Sequence, residues 1–193
     1  MNIIIGKKEE ILDFEKVIEK RRSIRKYNIE KKVEREKIKK IFKAVRLSPS
    51  AENAQGWEFI VIDDKELRDK FHKKAFSGIY KLPWTKTVPV FIVMLSKKKF
   101  LPNIVGKKIS KIDYQPIDAG IAGEHLVLAA ENEGLSTCWI GWFNKKKVRK
   151  FFDIPKKYKI YSLFALGYKD EDYEPNKPNR KSLNKLYSYN KFE

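Results

Sequence analysis

The sequence predicts a layered fold in which helices cover both faces of a central sheet. Segments with helical and strand-like periodicity alternate along the 193 residues, in the order two helices, strand, helix, strand, helix, strand, helix and strand. Residues 88–96 are apolar without alternation, which is typical of a strand buried on both faces. Residues 118–134 are apolar on nearly every side, so we expect this helix at the centre of the domain or at a subunit interface.

The remaining elements are predicted from shorter patterns. Helical spacing of apolar residues predicts helices over residues 10–20, 34–46 and 64–75, and a short helix runs from 144 to 152. Strands are expected over residues 57–63, 135–141 and 160–168. Asp63 and Glu66 have the spacing of a capping box, Asn144 is placed to cap the short helix, and Gly134 to end the long one. One core suffices for this length, so residues 1–193 are expected to form a single domain.

The chain is strongly basic, with 43 basic and 25 acidic residues and a formal net charge of +18. Such a charge could attract nucleic acid or an acidic protein. Alternatively, it reflects only a lysine-rich surface that is solvated by water. The basic residues are spread along the whole chain, which favours the solvated surface. No nucleic-acid-binding module is recognisable. We therefore expect no specific nucleic acid partner, while an acidic redox protein stays open as a partner.

Metal, disulfide and membrane functions find no support in the sequence. Cys138 is the only cysteine, and the two histidines, His72 and His125, lie far apart, so neither a disulfide nor a metal site is expected. Cys138 is interpreted as a buried, inert thiol and His125 as a core or interface residue. The longest apolar run, residues 88–95, is shorter than the roughly 20 residues that span a bilayer. Without a recognisable secretory signal, the expected location is the cytoplasm.

Three other segments could carry chemistry. Residues 20–27 (KRRSIRKY) combine guanidinium groups with a hydroxyl after a helix, which suits phosphate binding but also an ordinary basic turn. Residues 48–57 (SPSAENAQGW) gather small polar groups between a helix and a strand, and could contact a heteroaromatic ring or form a simple connection. Residues 134–142 (GLSTCWIGW) end a strand at a glycine, where the backbone can approach a ligand closely, although a core strand followed by a turn would have the same pattern.

Together, in this order and at these intervals, the segments resemble the nitroreductase family of FMN-dependent enzymes. The motif R-R-S-I-R-K-Y is similar to that family's phosphate motif, and S-P-S-A-E-N-A-Q-G-W to its S-P-S-x-x-N-x-Q-P-W loop. The stretch D-A-G-I-A-G-E-H-L-V-L-A-A-E-N-E-G-L-S-T-C-W-I-G resembles its central helix and following strand, and L-G-Y with a later P-N-R its closing segment. The resemblance covers about residues 10–187.

The resemblance implies a fold of the α+β class, a three-layer α-β-α sandwich with a mixed, mainly antiparallel sheet. It further implies a homodimer with two FMN sites at the interface. The C-terminal residues 169–193 would form an arm exchanged between the subunits, which would explain their polar composition. A disordered tail is the alternative for these residues.

The resemblance also implies which residues bind FMN. Those that would hold the phosphate and ribityl chain are Arg21, Arg22, Ser23, Arg25 and Arg180, with Lys177 assisting. Those that would line the isoalloxazine ring from the other subunit are Pro49, Ser50, Ala51 and Asn53, with Gln55 as a weaker candidate. The backbone of Ile140 and Gly141 would approach the N5 and O4 edge of the flavin.

The sequence departs from the family pattern at three places. Gly56 replaces the usual proline and Ala51 a common serine, which would loosen the loop without removing the site. Where many members have a glutamate near the flavin N5, the nearest positions here are Gly141 and Trp142. Residues 73–87 and 100–115 are the expected cover of the flavin.

The implied activity is an FMN-dependent oxidoreductase that accepts hydride from NADH or NADPH and reduces a nitroaromatic, a quinone or a similar small acceptor. The nicotinamide and the acceptor would use the same pocket in turn, which gives ping-pong kinetics. The flavin would carry the chemistry, so no catalytic side chain is expected. Dehalogenation and enone reduction on the same scaffold are alternatives, since fold alone does not choose the reaction. The alternative from another class is a flavin-binding electron-transfer protein that docks an acidic redox partner.

Overall fold

The computed structural model describes residues 14–97 and 112–192, in which a four-stranded sheet lies between two layers of helices. The helices are α1 (Phe14–Lys20), α2 (Arg35–Val45), α3 (Lys65–Ala75), α4 (Tyr114–Asn132) and α5 (Lys145–Phe151). The strands are β1 (Trp57–Ile62), β2 (Val90–Lys97), β3 (Ser136–Ile140) and β4 (Tyr158–Gly167). Short 3₁₀ turns cover Ala51–Asn53, Gly78–Tyr80, Pro83–Thr87 and Leu183–Lys185.

The sheet has the strand order β1-β2-β4-β3, and each neighbouring pair is antiparallel. Every residue of β2 except Lys97 is buried, which confirms the prediction of a strand covered on both faces. The mixed character expected of the sheet is confined, within the described ranges, to one parallel bridge between Ser23 and Thr137. The four strands themselves form a purely antiparallel sheet.

Two apolar clusters separate the sheet into two covered faces. Alternate residues of β2 point to opposite faces, as pleating requires: Ile92 packs with α2 and α4, and Val93 with α3 and α5. Ile41 of α2 and Leu126 of α4 are fully buried on the first face, and Phe71 of α3 on the second. The α+β class and the three layers are therefore confirmed.

The long helix α4 begins four residues earlier than the sequence predicted. The Asp113 carboxylate caps it by accepting the Gln115 N–H at 3.4 Å, and Pro116 lies in the first turn, where proline is tolerated. The helix ends at Asn132, and Gly134 follows with a φ of +71°. Gly134 is thus the expected stop, in the left-handed conformation that favours glycine.

The capping box predicted at Asp63 and Glu66 is wrong. Asp64 caps α3 instead, because its side chain accepts the Leu67 N–H at 2.8 Å. The Asp63 carboxylate lies 2.6 Å and 3.1 Å from Nε and Nη2 of Arg35, and this bond lowers the pKa of Asp63. The cap of α5 is confirmed, since the Asn144 side chain accepts the Lys147 N–H at 3.0 Å.

The ends of the chain are partly outside the described residues. Helix α1 is described from Phe14, so residues 10–13 of the predicted first helix fall outside. Residues 168–173 return to the body of the domain through the Tyr27–Lys169 bridge and the bond from Asp170 N–H to the Lys26 carbonyl. Beyond them residues 176–192 are exposed. In the described part of the chain, no helix has the length and apolarity needed to cross a membrane.

Gly167 fixes a close approach of two chain segments at the end of β4. A Cβ atom there would lie 2.4 Å from Pro89 Cγ and 3.1 Å from Tyr27 Cδ1. We expect Gly167→Ala to lower the free energy of unfolding by about 1–3 kcal/mol, the usual cost of overpacking. Denaturant unfolding measures it. Gly120→Ala is the control, because its Cβ would meet nothing within 4 Å. Equal stability of Gly167→Ala and the wild type would contradict the packing described here.

Candidate functional site

A cavity of about 490 Å³ lies between residues 20–27, here called the arginine motif, and residues 173–180 of the C-terminal segment. One wall comes from the extended segment after α1 and the other from the chain beyond β4. The Arg22 guanidinium bridges the two by donating a hydrogen bond to the Asn176 carbonyl. The lining residues are Arg21, Arg22, Ser23, Arg25, Tyr173, Glu174, Pro175, Asn176, Lys177, Pro178 and Arg180.

The arginine motif is held as an extended segment along the edge of the sheet. The Ile24 N–H donates to the Thr137 carbonyl of β3 at 2.9 Å, and the Tyr27 hydroxyl donates to the Ile24 carbonyl at 2.8 Å. Ile24 and Tyr27 are buried, while Ser23 and Arg25 are exposed. The alternation of an extended chain therefore turns the Ser23 and Arg25 side chains away from the core.

The opposite wall is held by ion pairs next to β4. The Lys26 and Asp170 side chains lie 3.1 Å apart. The Lys169 ammonium donates to the Tyr173 carbonyl at 2.7 Å and pairs with the Glu174 carboxylate at 2.8 Å. These contacts bend the chain after Lys169 back toward the arginine motif, so that Lys177 and Arg180 join the same cavity.

The cavity has a large excess of positive charge. Its lining contains four arginines and one lysine but a single carboxylate, that of Glu174, which Lys169 already neutralises in part. Guanidinium groups pair with phosphate through two parallel hydrogen bonds. The donor set, with the Ser23 hydroxyl beside it, therefore fits a phosphate monoester. The structure brings together all the residues predicted for the phosphate, including Lys177.

The arginine motif runs beside β3 in the direction of that strand's C-terminal end. Because the Ser23–Thr137 bridge is parallel, the residues after Ser23 run beside the residues that lead to Ile140 and Gly141. Ile140 is buried and Gly141 is exposed, so the backbone after β3 is accessible where the sequence predicted a ligand contact. Burial raises the pKa of the Cys138 thiol, and nearby Arg25 opposes this only in part. Cys138 is thus the buried thiol predicted from the sequence.

The loop of residues 48–57 lies elsewhere in the same chain, against the start of α4. The Ala51 N–H donates to the Asp118 carboxylate at 3.0 Å. The opposite end of α4 is near the arginine motif: burial raises the pKa of Glu131, and the neighbouring cations Arg21 and Lys20 oppose that rise only in part. At 1.5 Å per residue, Asp118 and Glu131 are about 20 Å apart along the helix. One chain therefore does not bring Pro49, Ser50, Ala51, Asn53 and Gln55 to its own phosphate cavity.

The same loop presents a matched donor and acceptor. The Gln55 side-chain N–H donates to the Asn53 side-chain oxygen at 2.9 Å. This bond uses the Asn53 oxygen and the Gln55 nitrogen, and it leaves the Asn53 Nδ2 as a donor and the Gln55 Oε1 as an acceptor. Such a pair is complementary to a heteroaromatic edge that carries both carbonyl and N–H groups.

The model of the nitroreductase family matches residues 18–168. The chain belongs to the nitroreductase family. The resemblance drawn from the three sequence motifs is thus confirmed.

Individual relatives agree with the family. A candidate NADH dehydrogenase/NAD(P)H nitroreductase of Archaeoglobus fulgidus is 35% identical over 163 residues, which cover 81% of this chain and 86% of the relative. The FMN reductase [NAD(P)H] of Bacillus subtilis is 29% identical over 76% of this chain and 62% of its own length. An FMN-dependent nitroreductase structure from Clostridium difficile R20291 superposes with a TM-score of 0.72 at 32% identity, covering 91% of this chain and 98% of that one.

This nitroreductase has an aromatic platform beside Gly141, formed by Tyr80 and Trp142, that the sequence patterns did not predict. The Trp142 indole N–H donates to the Ile79 carbonyl at 3.1 Å, and the Tyr80 and Trp142 rings lie 5.1 Å apart. Ile79 and Trp142 are exposed. The expected cover over residues 73–87 therefore contains two 3₁₀ turns, one of them docked on Trp142. Of the second expected cover, residues 100–111 lie outside the described residues.

An apolar groove of about 630 Å³ runs between α1, α2 and α4. Its lining includes Phe14, which is 67% exposed, together with Ile121 and Leu128 of α4. His125 lines the groove too, and its Nδ1 lies 3.1 Å from the Ile121 carbonyl of the preceding turn. Within the described ranges, no group of three or more potential metal ligands is present.

Proposed function

We propose that this nitroreductase is an FMN-dependent oxidoreductase that takes hydride from NADH or NADPH and reduces a nitroaromatic, a quinone or a similar small acceptor. The observation that carries the proposal is the cationic cavity formed by the arginine motif and the C-terminal segment. It supplies the phosphate-binding half of an FMN site in a chain that belongs to the nitroreductase family. The names of the relatives, an FMN reductase and an FMN-dependent nitroreductase, support the choice of cofactor.

Some residues of the cavity supply positive charge to the phosphate, and Arg22 holds the two walls of the cavity together. Arg21, Arg25 and Arg180 are the cations that bind the phosphate, and Ser23 donates its hydroxyl to the phosphate or the ribityl chain. Arg22 holds the two walls together through Asn176. The backbone of Ile140 and Gly141 contacts the flavin edge at the end of β3. When bound, FMN supplies the two-electron chemistry, and the protein positions it and excludes competing ligands.

The ring-binding half comes from a second copy of the chain. Pro49, Ser50, Ala51, Asn53 and Gln55 lie near the far end of α4 from the arginine motif, about 20 Å away along the helix. A symmetric dimer that packs α4 against its partner would bring the loop of one copy to the cavity of the other, twice. The apolar groove along α4 supports such an interface.

The C-terminal arm also fits a dimer. Residues 169–192 carry exposed apolar side chains that find no cover within the described part of one chain; these are Leu183, Leu186, Tyr187, Tyr189 and Phe192. A tail that was simply disordered would have no need of so many large apolar groups. We therefore propose that the arm packs on the partner subunit. Each subunit of the dimer would then be a single domain with its own arm.

The protein would leave one face of the flavin ring accessible, where the nicotinamide and then the acceptor would bind, and this would give ping-pong kinetics. The Ile79, Tyr80 and Trp142 side chains border that face near Gly141. We assign no described side chain of this region as a nucleophile, so binding and orientation are the protein's contribution to the reaction.

A comparison of FMN with riboflavin tests the cofactor assignment. Riboflavin lacks the phosphate but keeps the ring, so the cationic cavity should prefer FMN by about 3 kcal/mol, or roughly a hundredfold in Kd. Calorimetric titration of the flavin-free protein with each compound measures the difference. Equal affinities would show that the cavity does not bind the phosphate.

One observation favours the second candidate, an electron-transfer protein that docks an acidic redox partner. The first turn of α5 carries Lys145, Lys146 and Lys147 and no acidic residue, although a helix N-terminus favours acidic side chains. The three ammonium groups are exposed and lie just beyond the aromatic platform of Trp142. A surface of this kind is suited to an acidic protein that exchanges electrons with the bound flavin.

Salt dependence distinguishes the two candidates. If an acidic protein is the partner, turnover with an acidic ferredoxin or flavodoxin should fall about tenfold or more between 20 mM and 300 mM salt, because screening weakens charge-steered docking. Lys145→Gln/Lys146→Gln should flatten that dependence. Turnover of an uncharged quinone serves as the control. A salt-independent rate with the acidic protein would remove this candidate.

A further inference from the structure

The loop that follows α2 has a strained backbone. Glu52, Asn53 and Gln55 have φ angles of 52°, 53° and 44°. This left-handed region is costly for residues other than glycine, although asparagine tolerates it better than most. Three such residues within four positions persist only when their surroundings hold them, and strain of this kind concentrates at ligand-binding sites.

Hydrogen bonds within the loop account for only part of its conformation. The Gln55 N–H donates to the Ser50 hydroxyl at 3.0 Å, and the Asn53 N–H to the Ser50 carbonyl at 3.0 Å. Among the described residues, the one hydrogen bond that reaches residues 50–55 from outside them comes from Asp118, whose carboxylate accepts the Ala51 N–H at 3.0 Å. Asp118 therefore ties the strained turn to the rigid helix α4.

Without this hydrogen bond, the burial of the Asp118 carboxyl group would be unfavourable. It is only 6% exposed, in a helix whose neighbouring residues Ala119 and Ala122 are packed in the apolar cluster. Burying a carboxyl group is unfavourable unless it is hydrogen-bonded. Burial raises the pKa of Asp118, and the bond from Ala51 opposes that rise. The Ala51 N–H is thus the partner that makes a carboxyl group acceptable at this position.

We infer that Asp118 is a positioning residue that holds Ala51–Gln55 in its ligand-binding conformation before the flavin binds. With the turn fixed, the Asn53 Nδ2 and Gln55 Oε1 groups already point in one arrangement, so less conformational entropy is lost on binding. The inference rests on the proposed function, in which this loop lines the flavin ring of the partner subunit. It adds a residue that touches neither the flavin nor the substrate.

Two substitutions at Asp118 separate positioning from general stability. Asp118→Asn keeps an oxygen that can accept the Ala51 N–H, whereas Asp118→Ala removes the acceptor. We expect Asp118→Ala to raise the Kd for FMN about tenfold or more, and Asp118→Asn to change it less than about threefold. The ratio of the riboflavin and FMN affinities should stay at the wild-type value in both, because the phosphate cavity is untouched.

A substitution on the loop side tests the same bond without altering the helix. Ala51→Pro removes the N–H donor, and Ser50, with φ −145° and ψ 155°, already has the conformation that precedes proline. It should weaken FMN binding as Asp118→Ala does. Asp113→Ala is the control, because Asp113 caps the same helix by accepting the Gln115 N–H.

Hydrogen exchange of the flavin-free protein gives a second readout. Peptides covering residues 50–56 should exchange faster in Asp118→Ala and Ala51→Pro than in the wild type and Asp118→Asn. Unchanged exchange and unchanged FMN affinity in both disrupting variants would overturn the inference. If the wild type binds no FMN, the proposed function fails, yet the exchange data still decide whether Asp118 holds the loop.

Discussion

Replacing Arg21 and Arg25 together with alanine is expected to raise the Kd for FMN by about a hundredfold or more. Both guanidinium groups line the cavity between the arginine motif and the C-terminal segment. A hydrogen bond from a charged donor to a phosphate contributes about 1.5–3 kcal/mol, and two donors are lost together. The variant should fold, because neither side chain is buried and the anchoring residues Ile24 and Tyr27 are retained.

The control for this variant removes the same charge elsewhere. Arg46→Ala/Lys43→Ala deletes two exposed cations at the end of α2, so any general effect of net charge on an anionic ligand is subtracted. Riboflavin affinity should be nearly unchanged in Arg21→Ala/Arg25→Ala, because riboflavin has no phosphate to lose. Calorimetric titration measures the FMN affinity of both double variants and the riboflavin affinity of Arg21→Ala/Arg25→Ala. If Arg21→Ala/Arg25→Ala bound FMN with wild-type affinity, the cavity would not be the phosphate-binding part of the site.

The second large effect is the recovery of FMN binding in a mixed dimer. The proposed site takes its phosphate half from one copy and its ring half from the other. Arg21→Ala/Arg25→Ala destroys the first half, and Asn53→Ala/Gln55→Ala removes the side-chain donor and acceptor of the second. Each variant alone should bind FMN weakly. A heterodimer of the two contains one doubly defective site and one intact site, since a symmetric interface forms the site twice.

Co-expression with two different affinity tags isolates the heterodimer. It should bind about one FMN for every two chains, at wild-type affinity, whereas either variant alone binds almost none at the same concentration. The wild-type homodimer, carrying both tags, is the control and should bind about two. A heterodimer that binds no better than its parents would place both halves of the site in one chain.

Local sequence patterns predicted most of the fold because each reflects a local physical preference. The apolar run at residues 88–96 predicted β2, since both faces of that strand are buried by helices. The cap of α5 at Asn144 was predicted because it bonds a backbone group three residues away. Asp63 failed as a cap for the opposite reason. Its partner is Arg35, which lies 28 residues earlier in the chain and is invisible to a local pattern.

The residues of the candidate site likewise fall into those that a local pattern predicts and those that depend on contacts distant in sequence. The arginine motif was visible in the sequence because its residues are close together in the chain, and the structure places Arg21, Arg22, Ser23 and Arg25 in one cavity with Arg180. Tyr173 and Asn176 could not be predicted as wall residues, since the Lys26–Asp170 ion pair that returns the chain to the arginine motif is tertiary. Asp118 was seen only as part of an apolar helix, although a buried carboxyl in such a helix was itself a signal.

The most direct test of the account is the visible spectrum of the purified protein, reconstituted with FMN, during anaerobic addition of NADH and then NADPH. A flavin-binding nitroreductase that accepts hydride from a nicotinamide should show visible flavin absorption that bleaches with one equivalent of the preferred nucleotide. Addition of a quinone should restore the absorption. A protein that takes up no FMN, or whose bound flavin is bleached by neither nucleotide, would contradict the proposed activity.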